Sequence, residues 1–414
     1  MNRTLFVYLY FALGIVSTVS AQPDSETKWL EFEAIYSAMP WYNASGGIKT
    51  GFVYIDNADI TAKVNFDQLF GLKDNLSLFI YGLGNNGDMA SEYVGDFQIA
   101  SNIEAPQAWR IFEFWIQHNI FNDRVSFLAG LYDLNSEFDV LRPGTLFINS
   151  SFGIGAEYAQ SGQNGPSIFP ISSLGMRIAT FIGDRTRLRL VVLDAVPGDP
   201  NDLTSNEISI SREQGALIAG ELSIYTSKDF HDDQRVFERS YETRRRKVGR
   251  QFDVYKKDKI NIGGWYYTSD FYEINNQTRS DRGNYGIYIG GQRYFQLNDR
   301  EDYIALFARY GLANSRFNRL GSALSGGFVI SNPISKVDDN FGLAFSSGFN
   351  GNRFQEMQIG EEKTETFVEF TYSLPVSSWF LLQPDVQYVI NPSTRSELDN
   401  ALSFALLVQF SFSN

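Results

Sequence analysis

From about residue 30 onward the chain alternates apolar and polar positions in short runs separated by turn-forming stretches. In Asp59–Phe66, Ile60, Ala62, Val64 and Phe66 share one face, with Thr61, Lys63 and Asn65 opposite. Ile111–His118 sets Phe112, Phe114 and Ile116 against Glu113, Trp115 and Gln117. Leu188, Leu190 and Val192 oppose Arg187, Arg189 and Val191. At the C-terminal end Leu402, Phe404, Leu406, Val408, Phe410 and Phe412 alternate with Ser403, Ala405, Gln409 and Ser411. A period of two belongs to a strand, whose successive side chains point to opposite faces. A soluble sandwich shares that period. Two features favour a membrane barrel: one face stays apolar on run after run while the other is polar or charged, and the last strand is rich in aromatic residues, although it closes on Asn414 rather than Phe.

Such runs recur near residues 31–38, 58–66, 76–84, 108–118, 124–132, 173–182, 186–194, 215–225, 258–268, 284–295, 301–311, 324–331, 339–347, 364–373, 378–388 and 401–412. The expected fold is therefore all-β, an antiparallel transmembrane β-barrel of about 16 strands, wide enough for an aqueous channel. Gly46–Asp56 can extend the second strand, which leaves the first hairpin open. Gly183-Asp184-Arg185 and Pro375-Val376-Ser377 read as tight turns at one end, and Asn85–Gln107, Asp133–Ser172 and Ala195–Gly215 as long loops at the other. Thr226–Lys257 breaks this rule, being a long, charged insertion (Arg244-Arg245-Arg246-Lys247) that parity places on the turn side.

The stretch Asp133–Pro170 is the most anomalous. It is long, rich in Gly, Ser and Asn, and without a sustained strand or helix period. Connections of that length are usually functional or disordered. Phe138, Leu141, Phe147, Ile148, Phe152, Ile154, Ile168 and Phe169 give it apolar groups to anchor, which argues for order. It is expected to fold back into the lumen and narrow it; the alternative is a cap outside the mouth.

Composition agrees with a barrel. After the N-terminus no run approaches the roughly 20 apolar residues of a membrane helix. Aromatic residues make up 15%, with 35 Phe and 22 Tyr, as the interfacial girdles of a barrel require. The formal charge of −13 argues against nucleic-acid partners, which need a basic surface. The chain has no cysteine, which excludes disulfides and thiolate chemistry. Met1–Ala21 reads as a secretory signal, with Arg3, an apolar core Leu5–Val16 and the small-residue site Val19-Ser20-Ala21, leaving 22–414 as the mature barrel.

Catalytic chemistry is poorly supplied. His118 and His231 are the two histidines, and neither has a Ser and an acid at recognisable spacing. No HExxH, nucleophile elbow, Walker loop or paired zinc ligands occur, so neither an enzyme nor a cofactor is expected. The lumen offers something else. By alternation Arg177, Arg187 and Arg189 point inward beside the long loop, as do Glu113, Trp115, Gln117, Glu221, Arg309, Gln383, Asp385 and Gln387. Charge at a constriction sets selectivity by sign and size. Carboxylates and guanidinium groups can also exchange water for sugar hydroxyls.

Several irregular loop motifs then carry a family resemblance. GLGNNGDMASEYVGDFQIASNIEA (Gly82–Ala105), LFINSSFGIG (Leu146–Gly155), SGQNGPSIFP (Ser161–Pro170), VLDAVPGDP (Val192–Pro200) and LQPDVQYVINP (Leu382–Pro392), in that order, resemble the carbohydrate-selective porins of the OprB type over nearly the whole mature chain. The resemblance implies a 16-stranded outer-membrane barrel passing monosaccharides and related small carbohydrates down their gradient. It also implies a channel narrowed by Asp133–Phe138 (with Asp133, Asn135 and Glu137), Asn149–Gly155 and Glu113. Outer-membrane lipid and lipopolysaccharide would surround the barrel. The alternatives are a general or other-solute porin of the same architecture, or a non-conducting structural or adhesive barrel. An energised receptor is disfavoured, because strands beginning near Glu31 leave no room for an N-terminal plug. Monomer and trimer both fit, and the insertion Thr226–Lys257 has no counterpart in the resemblance.

Overall fold

The computed structural model describes residues 28–71, 75–121, 123–183, 185–205, 208, 213–226, 257–298, 302–334, 338–358 and 361–414. The stretch expected to be a signal, Met1–Ala21, together with His231 and the interior of the charged insertion, lies outside the described residues.

The described residues form strands β1 (Leu30–Ser45), β2 (Gly51–Asn65), β3 (Leu76–Asn85), β4 (Ala108–Ile120), β5 (Val125–Tyr132), β6 (Ser173–Ile182), β7 (Thr186–Asp194), β8 (Ala216–Tyr225), β9 (Lys259–Glu273), β10 (Asn276–Gln296), β11 (Tyr303–Ala313), β12 (Leu320–Ser331), β13 (Asn340–Asn350), β14 (Thr364–Ser377), β15 (Phe380–Ile390) and β16 (Ala401–Ser413). Each pairs antiparallel with its sequence neighbours, and β1 pairs with β16 to close the barrel, from Glu33 opposite Ser413 to Tyr42 opposite Phe404. Closure satisfies every strand's backbone within the sheet, which a lipid environment demands because it supplies no hydrogen-bond partners. The two faces have opposite chemistry. Phe52, Ile60, Ile116, Leu190, Ile262, Ile289 and Phe404 are exposed on the outside. Asn57, Thr61, Gln117, Arg187, Glu221, Asn261, Glu369, Gln383 and Ser403 are buried inside. Such an inverted arrangement is stable where the outside solvent is hydrocarbon.

Three sequence expectations need correction. In the first hairpin, which the sequence left open, β2 does extend back, to Gly51, but β1 runs past residue 38 to Ser45. Pro40 has no N–H to donate to a ladder. Here the ladder to β16 skips Met39 and Pro40 and resumes at Trp41, while the ladder to β2 runs through both. Phe112 does not face outward. The β3–β4 register shifts between Tyr81 and Gly82, so that Glu113 opposes Tyr81 and Ile111 opposes Gly82. One extra residue in β4 is a bulge, which turns Phe112 inward and leaves Ile111 and Trp109 to carry the exposed face. Finally, Pro375–Ser377 belongs to β14, with a register irregularity at that point, and the tight turn is Ser378–Trp379.

Candidate functional site

The segment after β5 does not remain at the mouth. Its order comes from short helical turns at Leu134–Ser136, Arg142–Leu146, Ser150–Phe152 and Ala156–Ala159. Asp133 caps the first turn by accepting from Asn135 N (3.0 Å), and Asn149 caps the third by accepting from Ser151 N (2.9 Å). The Asn135 amide bridges the turns, donating to Phe138 O (2.9 Å) and Gly153 O (2.8 Å). These bonds satisfy the backbone of a buried segment that has no strand partner.

The segment's partners trace its route. Leu134, Phe138, Ile154 and Tyr158 pack on Trp115, Val191, Leu217, Trp265 and Tyr288, which project inward from β4, β7, β8, β9 and β10. Leu141, Leu146, Phe147 and Phe152 pack on Tyr303, Phe307, Val329 and Ala344 of β11 to β13. Lys259 Nζ, on the first residue of β9, donates to Val140 O (2.6 Å), and Arg142 N donates to Gln292 Oε1 (2.8 Å) near the end of β10. Both strand positions belong to the end of the barrel opposite to that where β5 stops. The chain then returns past β14 and β15, where Ile148 N and Asn149 N donate to the Glu369 carboxylate (2.5 and 3.0 Å) and Gln383 Nε2 donates to Leu146 O (2.9 Å). The segment therefore contacts inward-facing side chains almost all the way round the wall. Burying a Phe or Leu side chain contributes roughly 1.5–3 kcal/mol, enough to offset the ordering of a residue or two for each anchor.

Ion pairs reinforce these contacts. Glu137 meets two wall arginines, Arg177 Nε at 2.7 Å and Arg187 Nη2 at 2.9 Å, and accepts from Tyr132 OH at 2.7 Å. Arg177 is further held by Ser126 and by Gln117 Oε1 (3.1 Å). Arg189 pairs with Glu221 at 2.9 Å, and the same carboxylate accepts from Asp139 N (2.7 Å) and Tyr288 OH (2.9 Å). Arg309 reaches both Asp139 (2.7 Å) and Glu157 (2.6 Å). Arg309 also lies over the space where a side chain at position 155 would begin: a Cβ on Gly155 would sit 1.9 Å from the Arg309 Cζ. Glycine at that position allows the backbone to approach the guanidinium. These charges are all buried, where uncompensated ions are costly and pairing is correspondingly strong.

The electrostatics of the segment follow. Burial alone would raise the Glu137 carboxyl, but the positive charges of Arg177, Arg187 and Arg189 outweigh it and hold the group down at about 2. Asp139 goes the other way. Burial pushes it up to about 6, with the nearby Glu157 charge adding to the rise and Arg309 opposing it. One arginine shared between two carboxylates compensates less than two arginines converging on one.

The residues singled out from sequence fall into separate groups. Arg177, Arg187 and Glu137 form one cluster, Arg189 and Glu221 the next, and Arg309 a third on the neighbouring wall. Glu113, Trp115 and Gln117 lie together on β4, where Trp115 Nε1 donates to Glu113 (2.9 Å) and the indole stacks on Phe79 at 4.9 Å. Asp133, Asn135 and Asn149 organise the inserted segment, and Asp385 stands apart on β15, across the barrel from β7 and opposite Thr371 in register. Sequence reading missed the segment's own anions Asp139 and Glu157, and it missed Glu369. Glu369 was accessible from the alternation Glu365, Phe367, Glu369, Thr371 in β14. Asp139 and Glu157 have no periodic setting to reveal them.

The inserted segment does not fill the interior. A cavity of about 230 Å³ remains between it and the wall formed by β16 and β1 to β4. Asp59, Tyr81, Phe112, Glu113, Asp133, Phe169 and Gln409 are among its lining. Phe112, turned inward by the bulge, makes edge contacts with Tyr81 (5.2 Å between centroids) and Phe169 (6.2 Å).

Known proteins agree with this architecture. The structure of Pseudomonas putida OprB at high pH superposes with a TM-score of 0.77 at 16% identity, covering 92% of this chain and 94% of that one. The low-pH structure of the same protein gives 0.56 at 14% identity and 92% of each chain. The outer membrane channel DcaP of Acinetobacter baumannii gives 0.53 at 9% identity, covering 92% and 97%. At these identities the likeness is one of fold. No curated protein sequence matches the chain. The family model described as carbohydrate-selective porin, OprB family, matches residues 49–412. The chain therefore belongs to the carbohydrate-selective porin family.

Proposed function

We propose that this porin carries monosaccharides and related small carbohydrates passively into the periplasm. The family and the closed barrel point to the bacterial outer membrane, and on that reading Met1–Ala21 is the export signal, the long loops face outward, and lipid and lipopolysaccharide surround the apolar band. Porins are channels, and no bond chemistry or energy source enters this reading. The observation that carries it is the cavity left beside the inserted segment, where carboxylates and amides stand next to aromatic rings. Polar groups there replace part of a sugar's hydration shell while Tyr81, Phe112 and Phe169 offer apolar faces to its ring. Conduction needs contacts that are favourable enough to admit a solute and weak enough to release it. The inserted segment is the constriction in this reading, with Glu113, Asp133 and Asn135 on the solute's side of it.

The test is liposome swelling with glucose, a disaccharide and amino acids of matched size, combined with planar-bilayer conductance. Faster entry of glucose than of size-matched amino acids is the expected result. Equal rates at equal size would reject sugar preference and leave a general porin. Absence of any conductance would leave a structural or adhesive barrel.

A further inference from the structure

We infer that the cavity is a binding site for one neutral sugar ring, held by the row Gln409, Ser37 and Asn57 across the seam where the barrel closes. This rests on the porin reading above and adds the residues that hold the solute. Ser37 of β1 stands opposite Gln409 of β16 on one side and opposite Asn57 of β2 on the other, so the three side chains lie at one level of the inner wall. Neighbouring strands are about 4.8 Å apart, which gives the row a span of about 10 Å. All three residues are buried and all three line the cavity. Ile35 and Leu407 also line it. Each lies two residues before its neighbour in the row, on strands that run antiparallel, so the polar row is bracketed by apolar side chains.

The row is short of donors. Asn57 Oδ1 and Gln409 Oε1 accept no hydrogen bond from any described residue, although these residues are only 3% and 4% exposed. The orientation of the Asn57 amide is fixed, because its Nδ2 donates to Asp59 Oδ1 (2.8 Å). A buried carbonyl oxygen without a donor is costly, so the row favours a ligand that brings donors of its own. Sugar hydroxyls are such donors and carry no charge, and the Ser37 hydroxyl between the two amides can meet them as donor or acceptor. The flank suits the same ligand: Phe112, turned inward by the bulge, and Phe169 supply apolar surface for the C–H face of a ring. At about 230 Å³ the cavity is smaller than the roughly 300–1,000 Å³ of pockets for drug-sized ligands, which suits a single ring rather than an oligosaccharide.

The experiment is titration of the purified barrel with glucose by saturation-transfer NMR, run beside glucose-driven liposome swelling. Glucose is expected to bind saturably. In a panel of monodeoxyfluoro glucoses one hydroxyl donor at a time is replaced by fluorine, and some members are expected to bind roughly two- to tenfold more weakly, the worth of one hydrogen bond. Asn57→Leu and Gln409→Leu, each checked for a cooperative thermal transition, are expected to weaken glucose binding by a similar factor, and Gln409→Glu, which keeps acceptor oxygens, to stay close to native. The panel requires no variant, so it stands even where a variant fails to fold. Swelling without saturable binding, or equal binding across the whole panel, overturns the site while the porin reading stands. Native affinity in both Leu variants overturns the assignment to this row. Saturable binding without swelling keeps the site and removes transport, and the absence of both overturns site and porin reading together.

Discussion

Replacing Glu137 with Gln is the most informative perturbation of the inserted segment. The native carboxylate lies between Arg177 Nε (2.7 Å) and Arg187 Nη2 (2.9 Å), with both partners and the carboxylate itself fully buried or nearly so. Gln keeps the shape and removes the charge, which leaves two guanidinium groups facing a neutral amide in a site without solvent. Breaking a buried pair in this way costs about 3–5 kcal/mol, mostly because the remaining charge is uncompensated. A second route gives the same size. The Glu137 carboxyl is lowered from 4.5 to about 2 by the arginines, a difference worth about 3 kcal/mol at neutral pH. At about 1.4 kcal/mol per factor of ten, the attached-to-detached ratio of the segment falls by roughly two to three powers of ten. In planar bilayers this is expected as increased open-channel noise and a population of larger conductance steps at pH 7. The sign of the pH dependence is fixed by the depressed value: the contribution is fully present above about 4.5 and is lost as pH falls toward about 2. Native channels should therefore acquire the variant's noise on acidification through that window, while Glu137→Gln should not change there. Native-like noise and steps in the variant at pH 7 would refute the view that Glu137 fastens the segment.

Three further outcomes are expected. Gly155→Ala places a Cβ within 1.9 Å of the Arg309 guanidinium, itself pinned by Asp139 and Glu157; overpacking of this kind costs about 1–3 kcal/mol, so the thermal midpoint of the purified barrel should fall, and an unchanged midpoint would show that the guanidinium moves aside freely. Leu190→Arg puts a charge on the exposed outer face of β7, and urea titration in lipid vesicles should show a loss of about 2–4 kcal/mol if the position lies at the bilayer midplane; no loss would place that face out of hydrocarbon. The double change Arg187→Ala and Arg189→Ala removes the partners of Glu137 and Glu221 rather than charges that line the cavity. It is expected to raise channel noise and lower stability, and a change confined to ion preference with normal noise would return those arginines to the solute path.

The alternation of Leu402 to Phe412 and of Leu188 to Val192 was enough to read strands, their faces and a membrane barrel, because lipid outside and polar groups inside impose a period of two that needs no distant information. That is why most strands, and the inward positions of Arg187, Arg189, Glu113 and Glu221, were legible. Local exceptions escaped: β1 runs on through Pro40, where only the ladder to β2 is kept, and the bulge at Phe112 inserts one residue that periodicity cannot anticipate.

Of the apolar anchors that marked Asp133–Pro170 as ordered, Phe138, Leu141, Phe147, Ile148, Phe152 and Ile154 are buried, and Ile168 and Phe169 are half-buried. Nothing local said against what. Only tertiary structure pairs Glu137 with Arg177 and Arg187, and Asp139 and Glu157 with Arg309. It also leaves the open space on the side of Asp59, Glu113 and Asp133. A segment without periodicity carries no record of its partners, since they lie on strands far away in sequence. Which charges face each other, and which face the remaining cavity, was decided by the closing of the sheet and the path of one chain through its interior.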